Sequence, residues 1–282
     1  MSIDALPDLL VEPLVRAALA EDLGRAGDIT SAAVFPQKTP MRAVVATRKP
    51  GVLAGSQTAQ LAFRLLDPQV EIEIQKHDGD RLVSGDQVLR VTGDARAILA
   101  AERVALNFMC RLSGIATATA ALVEAAKPHK TRIACTRKTT PGLRALEKYA
   151  VRAGGGVNHR YGLDDAVLIK DNHIAVAGGI AIAVERARSA IGHLVKIEVE
   201  VDTPAQLDEA LAAGVDAVLL DNMTPEQLRE AVRRVNGRAV TEASGGITLA
   251  SVQAVAASGV DIISVGWLTH SAPILDLGLD VL

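Results

Sequence analysis

The sequence predicts an α/β protein in which an N-terminal α+β region precedes a (β/α) barrel. Of the 282 residues, 49% are hydrophobic, which is enough for a substantial core. Only 2% are aromatic, so the core must consist of aliphatic residues and alanine, as in helices packed on parallel strands. From Arg132 onward, strand and helix signals alternate regularly, whereas the pattern before it is mixed.

The region before Gly93 combines helical and strand-like segments. A helix is predicted over residues 11–23, with Gly24 as its capping glycine. Strand-like runs follow at residues 42–47, 70–77 and 87–91, separated by turn signals. Asp94 is a candidate cap for a long Ala-rich helix that runs to about residue 126, with a break expected at Ser113-Gly114. These features predict an α+β domain with a largely antiparallel sheet.

The remainder of the chain contains six apolar runs that are typical of buried parallel strands. They lie at residues 132–136, 166–170, 195–201, 217–221, 239–243 and 261–265. Thr-Pro pairs at residues 140, 203 and 224 predict helix starts with proline in the first turn. Because strands recur about every 20–35 residues, a barrel with one or two strands unaccounted for is favoured. A doubly wound sheet remains the alternative.

Charge and cysteine usage exclude several classes of function. The net charge of −3 argues against a general polyanion binder, and the few aromatic residues argue against a stacking platform for single-stranded nucleic acid. Cys110 and Cys135 have no metal-site or CxxC spacing and indicate a reducing compartment. No signal peptide and no membrane-spanning run is recognised. We therefore expect a soluble, cytoplasmic protein without nucleic-acid or membrane partners.

Charge is sorted along the predicted barrel. Residues 130–173 contain nine Lys and Arg but four acids, whereas residues 194–242 contain five Lys and Arg but ten acids. Because the carboxyl ends of barrel strands share one mouth, the two segments should face each other there. This arrangement predicts a site for an anionic substrate beside a metal ion.

The acidic half of the site is predicted from strand alternation. In residues 195–202, the apolar residues lie on one face, and Lys196, Glu198, Glu200 and Asp202 lie on the other, inward face. Carboxylates there need a cation, so Glu200 and Asp221 are predicted to hold Mg²⁺ carried by a phosphorylated substrate. The alternative is a structural ion network between Lys196 and its neighbours on this strand.

The glycine-bearing turns after the last strands predict a phosphate site. Ser244, Gly245 and Gly246 precede a helix expected to begin near Thr248, and Gly266 follows the next strand. Glycines at such turns let backbone N–H groups approach a phosphate, and barrels build phosphate sites from their last two loops.

Basic side chains are more numerous at the strand ends than a phosphate alone requires. They follow Thr136 and occur again in the next two segments: Arg137, Lys138, His159, Arg160 and Lys170. Arginine binds planar carboxylates through two parallel hydrogen bonds, whereas lysine acts as a point charge. The residues alone thus predict a Mg²⁺-dependent enzyme that joins a phosphate-bearing substrate to a small anionic one.

Ten segments, in order over nearly the whole chain, resemble the quinolinate phosphoribosyltransferase family. They are EDLGRAGDIT (21–30), ERVALN (102–107), LSGIAT (112–117), TRKTTPGLR (136–144), GGGVNHR (154–160), LIKDNH (168–173), EVEV (198–201), LDNM (220–223), SGGI (244–247) and VG (265–266). The resemblance implies an N-terminal α/β sandwich domain over residues 1–113. It further implies an incomplete, seven-stranded barrel over 114–270 and a tail over 271–282 that returns to the first domain.

The resemblance also implies a reaction. Quinolinate and phosphoribosyl pyrophosphate would give nicotinate mononucleotide, pyrophosphate and CO₂ with Mg²⁺, in NAD biosynthesis. Arg137, His159 and Arg160 match positions that hold the two carboxylates of quinolinate, with Thr136 beside them. Lys138 and Lys170 match lysines between the acid and the phosphoribosyl group.

The remaining matches concern the sugar, the metal and the subunit partner. Glu200 and Asp221 match acids at the ribose and metal, and Ser244–Gly246 with Gly266 match the 5′-phosphate cradle. Arg103 matches an arginine that the partner subunit supplies, which implies a homodimer or a higher homo-oligomer.

Three other functions are weighed against this one. A related pyrophosphorylase-like protein associated with molybdenum transport shares the fold and the Arg137-Lys138-Thr139 motif. Lys170 at a strand end is also compatible with a Schiff-base lyase. The third is a catalytically silent barrel that only binds phosphoribosyl ligands. The complete set of motifs favours quinolinate transfer over all three.

Overall fold

The computed structural model describes residues 3–282. The chain divides into two units. The first unit comprises the residues up to Ala120, Thr139–Gly155 and Leu268–Leu282. The second comprises Ala121–Lys138 and Gly156–Trp267. The first unit therefore takes in a short segment from the middle of the chain and the C-terminal tail.

The elements before residue 127 agree with the mixed pattern of the sequence. The helices are α1 (Asp8–Leu23), α2 (Ile29–Val34), α3 (Ser56–Leu66) and α4 (Ala95–Ala126). The strands are β1 (Pro40–Thr47), β2 (Gly51–Val52), β3 (Glu71–Ile74), β4 (Arg81–Leu82) and β5 (Gln87–Asp94). The first helix ends at Gly24, whose φ of +53° confirms the predicted capping glycine.

The rest of the chain contains the predicted alternation. The strands are β6 (Arg132–Ala134), β7 (Val167–Ile169), β8 (Ile197–Val201), β9 (Ala217–Asp221), β10 (Val240–Ser244), β11 (Ile262–Ser264) and β12 (Leu277–Val281). The helices are α5 (Arg144–Ala153), α6 (Asp171–Ala177), α7 (Ile180–Ala190), α8 (Pro204–Ala212), α9 (Pro225–Val235), α10 (Val252–Ala256) and α11 (Trp267–His270).

The first unit contains a four-stranded antiparallel sheet. Its strand order is β12-β1-β5-β3, so the last strand of the chain pairs with the first. In that pair, Val45 lies opposite Leu279. Strands β2 and β4 form a separate antiparallel pair. The predicted α+β domain with an antiparallel sheet is confirmed.

The second unit contains an incomplete (β/α) barrel. Its parallel strands are ordered β6-β11-β10-β9-β8-β7, so the first strand pairs with the last and not with the second. This cyclic order is that of a barrel, whereas a doubly wound sheet reverses its order in the middle. Val157 extends the sheet beyond β6, because it donates its N–H to the Ile133 carbonyl and accepts from the Cys135 N–H.

Two of the three Thr-Pro pairs begin helices as predicted. Thr203 and Thr224 cap α8 and α9 through capping boxes with Gln206 and Gln227. The prediction for the first pair was wrong, because α5 begins three residues after Pro141. There Thr140 bonds through its N–H (3.0 Å) and its hydroxyl (2.8 Å) to the buried Glu147 carboxylate instead of capping a helix.

The predicted break in the long helix was also wrong, since α4 continues through Ser113-Gly114. The Ser113 hydroxyl donates to the Ala54 carbonyl and accepts from the Ala54 N–H, so it joins the helix to the preceding loop. A Cβ on Gly114 would lie 2.1 Å from the Pro273 carbonyl oxygen. The glycine thus allows a close backbone approach and does not end the helix.

Helix α4 is long and apolar enough, by length and composition alone, to cross a membrane. In its most apolar window, 56% of the residues are buried inside the protein. Ile98, Met109 and Ile115 are among its fully buried residues. Its apolar surface therefore contributes to the core, as in a long central helix.

Candidate active site

All predicted site residues except Arg103 belong to the second unit, where they lie at or after the carboxyl ends of barrel strands. On β8, Ile197, Val199 and Val201 are buried, while Glu198 and Glu200 alternate with them. This confirms the predicted alternation. The Lys196 side chain is 76% exposed, and its Nζ atom lies 2.6 Å from Asp216 Oδ1. The structure therefore does not contain the alternative ion network between Lys196 and Glu198 or Glu200.

Two arginines contribute to the cationic part of the site. The Nε atoms of Arg137 and Arg160 are both buried. Neither atom has a hydrogen-bond partner among the described residues. The Arg160 guanidinium donates to the Ala166 carbonyl through one terminal nitrogen (2.8 Å). Burial, and then the neighbouring Arg137, lower the pKa of Arg160. Half-buried guanidinium groups with unused N–H donors are suited to an anionic ligand with planar carboxylates.

His159 is held on both of its ring nitrogens. The Arg160 backbone N–H donates to Nδ1 at 2.8 Å, which places the ring proton on Nε2. That Nε2–H faces the Glu198 Oε2 atom at 3.1 Å and the Glu242 Oε1 atom at 3.6 Å. The imidazole therefore connects the backbone of Arg160 to Glu198, and Glu242 lies beside this contact.

Glu242 is a site-adjacent group that the sequence analysis did not identify. It lies on β10 and is 3% exposed, and its Oε1 atom has no hydrogen-bond partner in the described residues. Burial, together with the charge of Glu198, raises the pKa of Glu242 to about 7, against the opposing effects of His159 and the Ser264 hydroxyl. Strand alternation would have identified it, because Glu242 and Ser244 lie two residues apart on the same strand.

His159, Glu198 and Glu242 also offer three potential metal-ligand atoms within 4.8 Å of one another. The Nε2 atom that would bind a metal carries the proton directed at Glu198 in this arrangement. A protonated nitrogen has no lone pair for a metal. His159 is therefore hydrogen-bonded to Glu198 here, and Glu242 lies beside this pair.

The predicted metal acids lie near the two lysines. Lys170 Nζ is 2.7 Å from Glu200 Oε2, so this pair is formed. Burial, and then the charges of Glu200 and Asp202, raise the pKa of Asp221, while Lys170 and Lys138 oppose this effect. Mutually repelling carboxylate oxygens of this kind are the donors that Mg²⁺ prefers, so Glu200 and Asp221 fit the predicted ion.

The turn after β10 contains the predicted phosphate-binding residues. Gly245 and Gly246 both have positive φ, +99° and +60°. The helix predicted to begin near Thr248 begins only at Val252 and has five residues, so the prediction of its start was wrong. Thr248 and Ser251 are instead joined by mutual hydrogen bonds. A phosphate at this turn would meet backbone N–H groups of the loop more than a helix end.

The remaining predicted residues are placed individually. Thr136 Oγ1 accepts the Lys138 N–H at 3.0 Å and so shapes the turn after β6. Gly266 lies two residues after the end of β11. Arg103 lies on α4 in the first unit, is 65% exposed and is 3.9 Å from Glu102. Its predicted role in a partner's site stays a prediction.

The fold and these residues together define an incomplete-barrel enzyme whose mouth contains guanidinium groups, lysines, carboxylates and a glycine-rich turn. Residues 28–113 match the family described as quinolinate phosphoribosyl transferase, N-terminal domain. Residues 115–280 match the corresponding C-terminal domain. The chain belongs to the quinolinate phosphoribosyltransferase family.

Similar proteins cover nearly the full chain. A probable carboxylating nicotinate-nucleotide pyrophosphorylase of Bacillus subtilis is 47% identical over 97% of this chain and 94% of its own length. A carboxylating nicotinate-nucleotide pyrophosphorylase of Mycobacterium leprae is 47% identical over 95% of both. The solved nicotinate-nucleotide pyrophosphorylase of Francisella tularensis is 41% identical with a TM-score of 0.95, covering 100% of this chain and 99% of its own.

Proposed function

We propose that this protein transfers the phosphoribosyl group of phosphoribosyl pyrophosphate to quinolinate, with decarboxylation to nicotinate mononucleotide. The observation that carries the proposal is the pair of half-buried arginines, Arg137 and Arg160, whose Nε–H groups have no hydrogen-bond acceptor among the described residues. A ligand with two adjacent carboxylates can supply both acceptors, whereas a monocarboxylate leaves buried donors unpaired. The same unit presents the lysines, acids and glycine turn that phosphoribosyl pyrophosphate requires.

In this proposal the chain's residues divide the substrates between them. Arg137 and Arg160 bind the carboxylates of quinolinate and orient its ring nitrogen toward C1 of the ribose. Ser244, Gly245 and Gly246, with Gly266, hold the 5′-phosphate. Lys138 and Lys170 offset the negative charge that develops on the departing pyrophosphate. Glu200 accepts from Lys170 and faces the positive charge that develops at C1.

Mg²⁺ is proposed as the ion that accompanies pyrophosphate, with Glu200 and Asp221 as the residues that hold it. When bound, it neutralises pyrophosphate oxygens and makes pyrophosphate a better leaving group. The fit rests on the two carboxylates and on the raised pKa of Asp221.

Neither the transfer nor the decarboxylation requires a side chain that acts as a base. The ring nitrogen forms its bond to C1 as the bond from C1 to pyrophosphate oxygen breaks, and the ring becomes a pyridinium. The bond between C2 and its carboxylate then breaks to release CO₂, and its electron pair stays at C2 beside the positive nitrogen. A proton from water completes nicotinate mononucleotide. We propose that decarboxylation follows transfer, because only the pyridinium stabilises that electron pair.

The decisive experiment is an assay of nicotinate mononucleotide formation from quinolinate and phosphoribosyl pyrophosphate, with and without Mg²⁺. Nicotinate serves as the control acceptor. Turnover with quinolinate but not with nicotinate is expected, and it should require Mg²⁺. Turnover with neither acid would refute the proposal and favour the molybdenum-associated protein or a binding-only barrel.

We further propose a homo-oligomer in which Arg103 completes the site of a partner subunit. The exposure of Arg103, at 65%, supports this role. Mixing Arg103→Ala protein with Lys170→Ala protein should restore activity, because one site of each mixed dimer would then be intact. No recovery despite proven subunit exchange would mean that each chain builds its own site.

The protein is proposed to act in the cytoplasm. Neither Cys110 nor Cys135 takes part in a disulfide bond among the described residues, and this supports a reducing compartment. Cell fractionation should place the activity in the cytosolic fraction, and its recovery with membranes would contradict the proposal.

A further inference from the structure

Asn222 has a backbone conformation that is unusual for its position. Its φ is +53°, and the other non-glycine residues with positive φ in the described chain are Lys38 and Asn236. Asn236 is the C-terminal cap of α9, where this conformation is common. Asn222 instead directly follows β9, at the carboxyl end of a barrel strand. Outliers of this kind occur preferentially at functional sites.

Asn222 makes two hydrogen bonds to different parts of the site. Its side-chain Nδ2–H donates to Asp221 Oδ2 at 2.6 Å. Its backbone N–H donates to the Ser244 carbonyl at 2.9 Å. One residue therefore holds the predicted metal and ribose acid on β9 and the start of the glycine turn on β10.

Gly245 makes room for this arrangement. A Cβ on Gly245 would lie 2.1 Å from Asn222 Oδ1 and 2.7 Å from its Cγ. A Cβ on Gly246 would meet nothing within 4 Å. The two glycines thus have different surroundings. Gly245 lies against the amide of Asn222, whereas Gly246 borders open space at the turn.

We propose that Asn222 is a positioning residue that fixes Asp221 and the Ser244–Gly246 turn relative to each other. This inference rests on the proposed function. Ribose 5-phosphate is a short, stiff unit whose hydroxyls and phosphate must reach the acid and the turn at the same time. Fixing the two subsites in advance reduces the entropy lost on binding. The quinolinate carboxylates contact neither group in this scheme, so their binding is independent of Asn222.

The test uses Asn222→Gly, since glycine adopts positive φ readily and removes only the amide. Asn236→Gly is the matched control, because it makes the same change at another left-handed asparagine outside the site. Calorimetry would measure the dissociation constants of nicotinate mononucleotide and of quinolinate without Mg²⁺, and thermal melting would report folding. Asn222→Gly is expected to weaken nicotinate mononucleotide binding by about tenfold or more and to change quinolinate binding less than twofold. Asn236→Gly should change neither.

Asn222→Asp provides a second variant, since aspartate tolerates the same backbone conformation but has no N–H donor for Asp221. It should reproduce the loss of nucleotide binding and raise the KM for phosphoribosyl pyrophosphate more than the KM for quinolinate. Nucleotide binding by Asn222→Gly at the wild-type level would overturn the inference alone. Equal weakening of both ligands would also overturn it, since it would indicate a general structural role. Failure of the wild-type protein to bind nicotinate mononucleotide would overturn the proposed function as well.

Discussion

Replacing Glu242 by glutamine should remove the destabilisation of the folded state that accompanies ionisation of this buried carboxyl group. Glu242 is buried on β10, and the charged or polar groups that face it are Glu198, His159 and Ser264. Burial and Glu198 raise its pKa to about 7 from an ordinary 4.5. Glutamine resembles the protonated carboxyl in shape and keeps a hydrogen-bonding oxygen, but it does not ionise.

A pKa that differs between the folded and unfolded states makes the stability of the protein depend on pH. Between about pH 4.5 and pH 7, the folded state binds this proton more tightly than the unfolded state. The contribution of Glu242 to the free energy of unfolding therefore falls as pH rises through that interval. A pKa difference of this size corresponds to about 3 kcal/mol. The variant lacks this contribution, so its stability relative to the wild type should increase by about that amount from pH 4.5 to pH 8.

Urea denaturation of both proteins at a series of pH values measures this difference directly. Groups that are common to both proteins cancel in the comparison. Glu226→Gln is the control, since the Glu226 side chain is 74% exposed and is solvated in both states. A difference between wild type and Glu242→Gln that does not vary with pH, or that has the opposite slope, would refute the argument that Glu242 is buried beside a second acid.

Three further substitutions test separate parts of the structure. Lys170→Met should lower kcat/KM by about a hundredfold or more without loss of fold, since Lys170 Nζ contacts Glu200 at an exposed position; wild-type kinetics would contradict its role. Gly245→Ala should destabilise the protein by about 1–3 kcal/mol and weaken nucleotide binding, because its Cβ would overlap Asn222 Oδ1; an unchanged melting curve would contradict this. Thr224→Ala should cost about 1 kcal/mol of stability and leave the kinetics unchanged, as urea denaturation and steady-state rates would show.

Much of the fold could be predicted because the signals were local. All six predicted parallel strands are present, and the capping residues Thr203 and Thr224 begin their helices. The Thr140-Pro141 pair was misinterpreted because a distant group decides its structure: Glu147 binds the hydroxyl that would otherwise cap a helix. Gly114 was misread for a similar reason, since its closest contact is with Pro273, far along the chain.

The same division applies to the site. Strand alternation correctly separated the acids of β8 from their buried neighbours. It could not show that Glu198 faces His159 while Glu200 faces Lys170, because those contacts join different strands and loops. Glu242 was missed because the candidate residues were those at the ends of the strands, and Glu242 lies two residues before Ser244. The cyclic strand order that identifies the barrel is likewise a non-local property.

The most direct test of the central claim follows the carboxylate that quinolinate loses. Quinolinate labelled at the C2 carboxyl group would be incubated with the enzyme, with and without phosphoribosyl pyrophosphate, while labelled CO₂ and nicotinate mononucleotide are both measured. The account predicts CO₂ and nucleotide in equal amounts, and neither product without phosphoribosyl pyrophosphate. Release of CO₂ in its absence, or nucleotide formation without CO₂, would contradict the proposed reaction sequence.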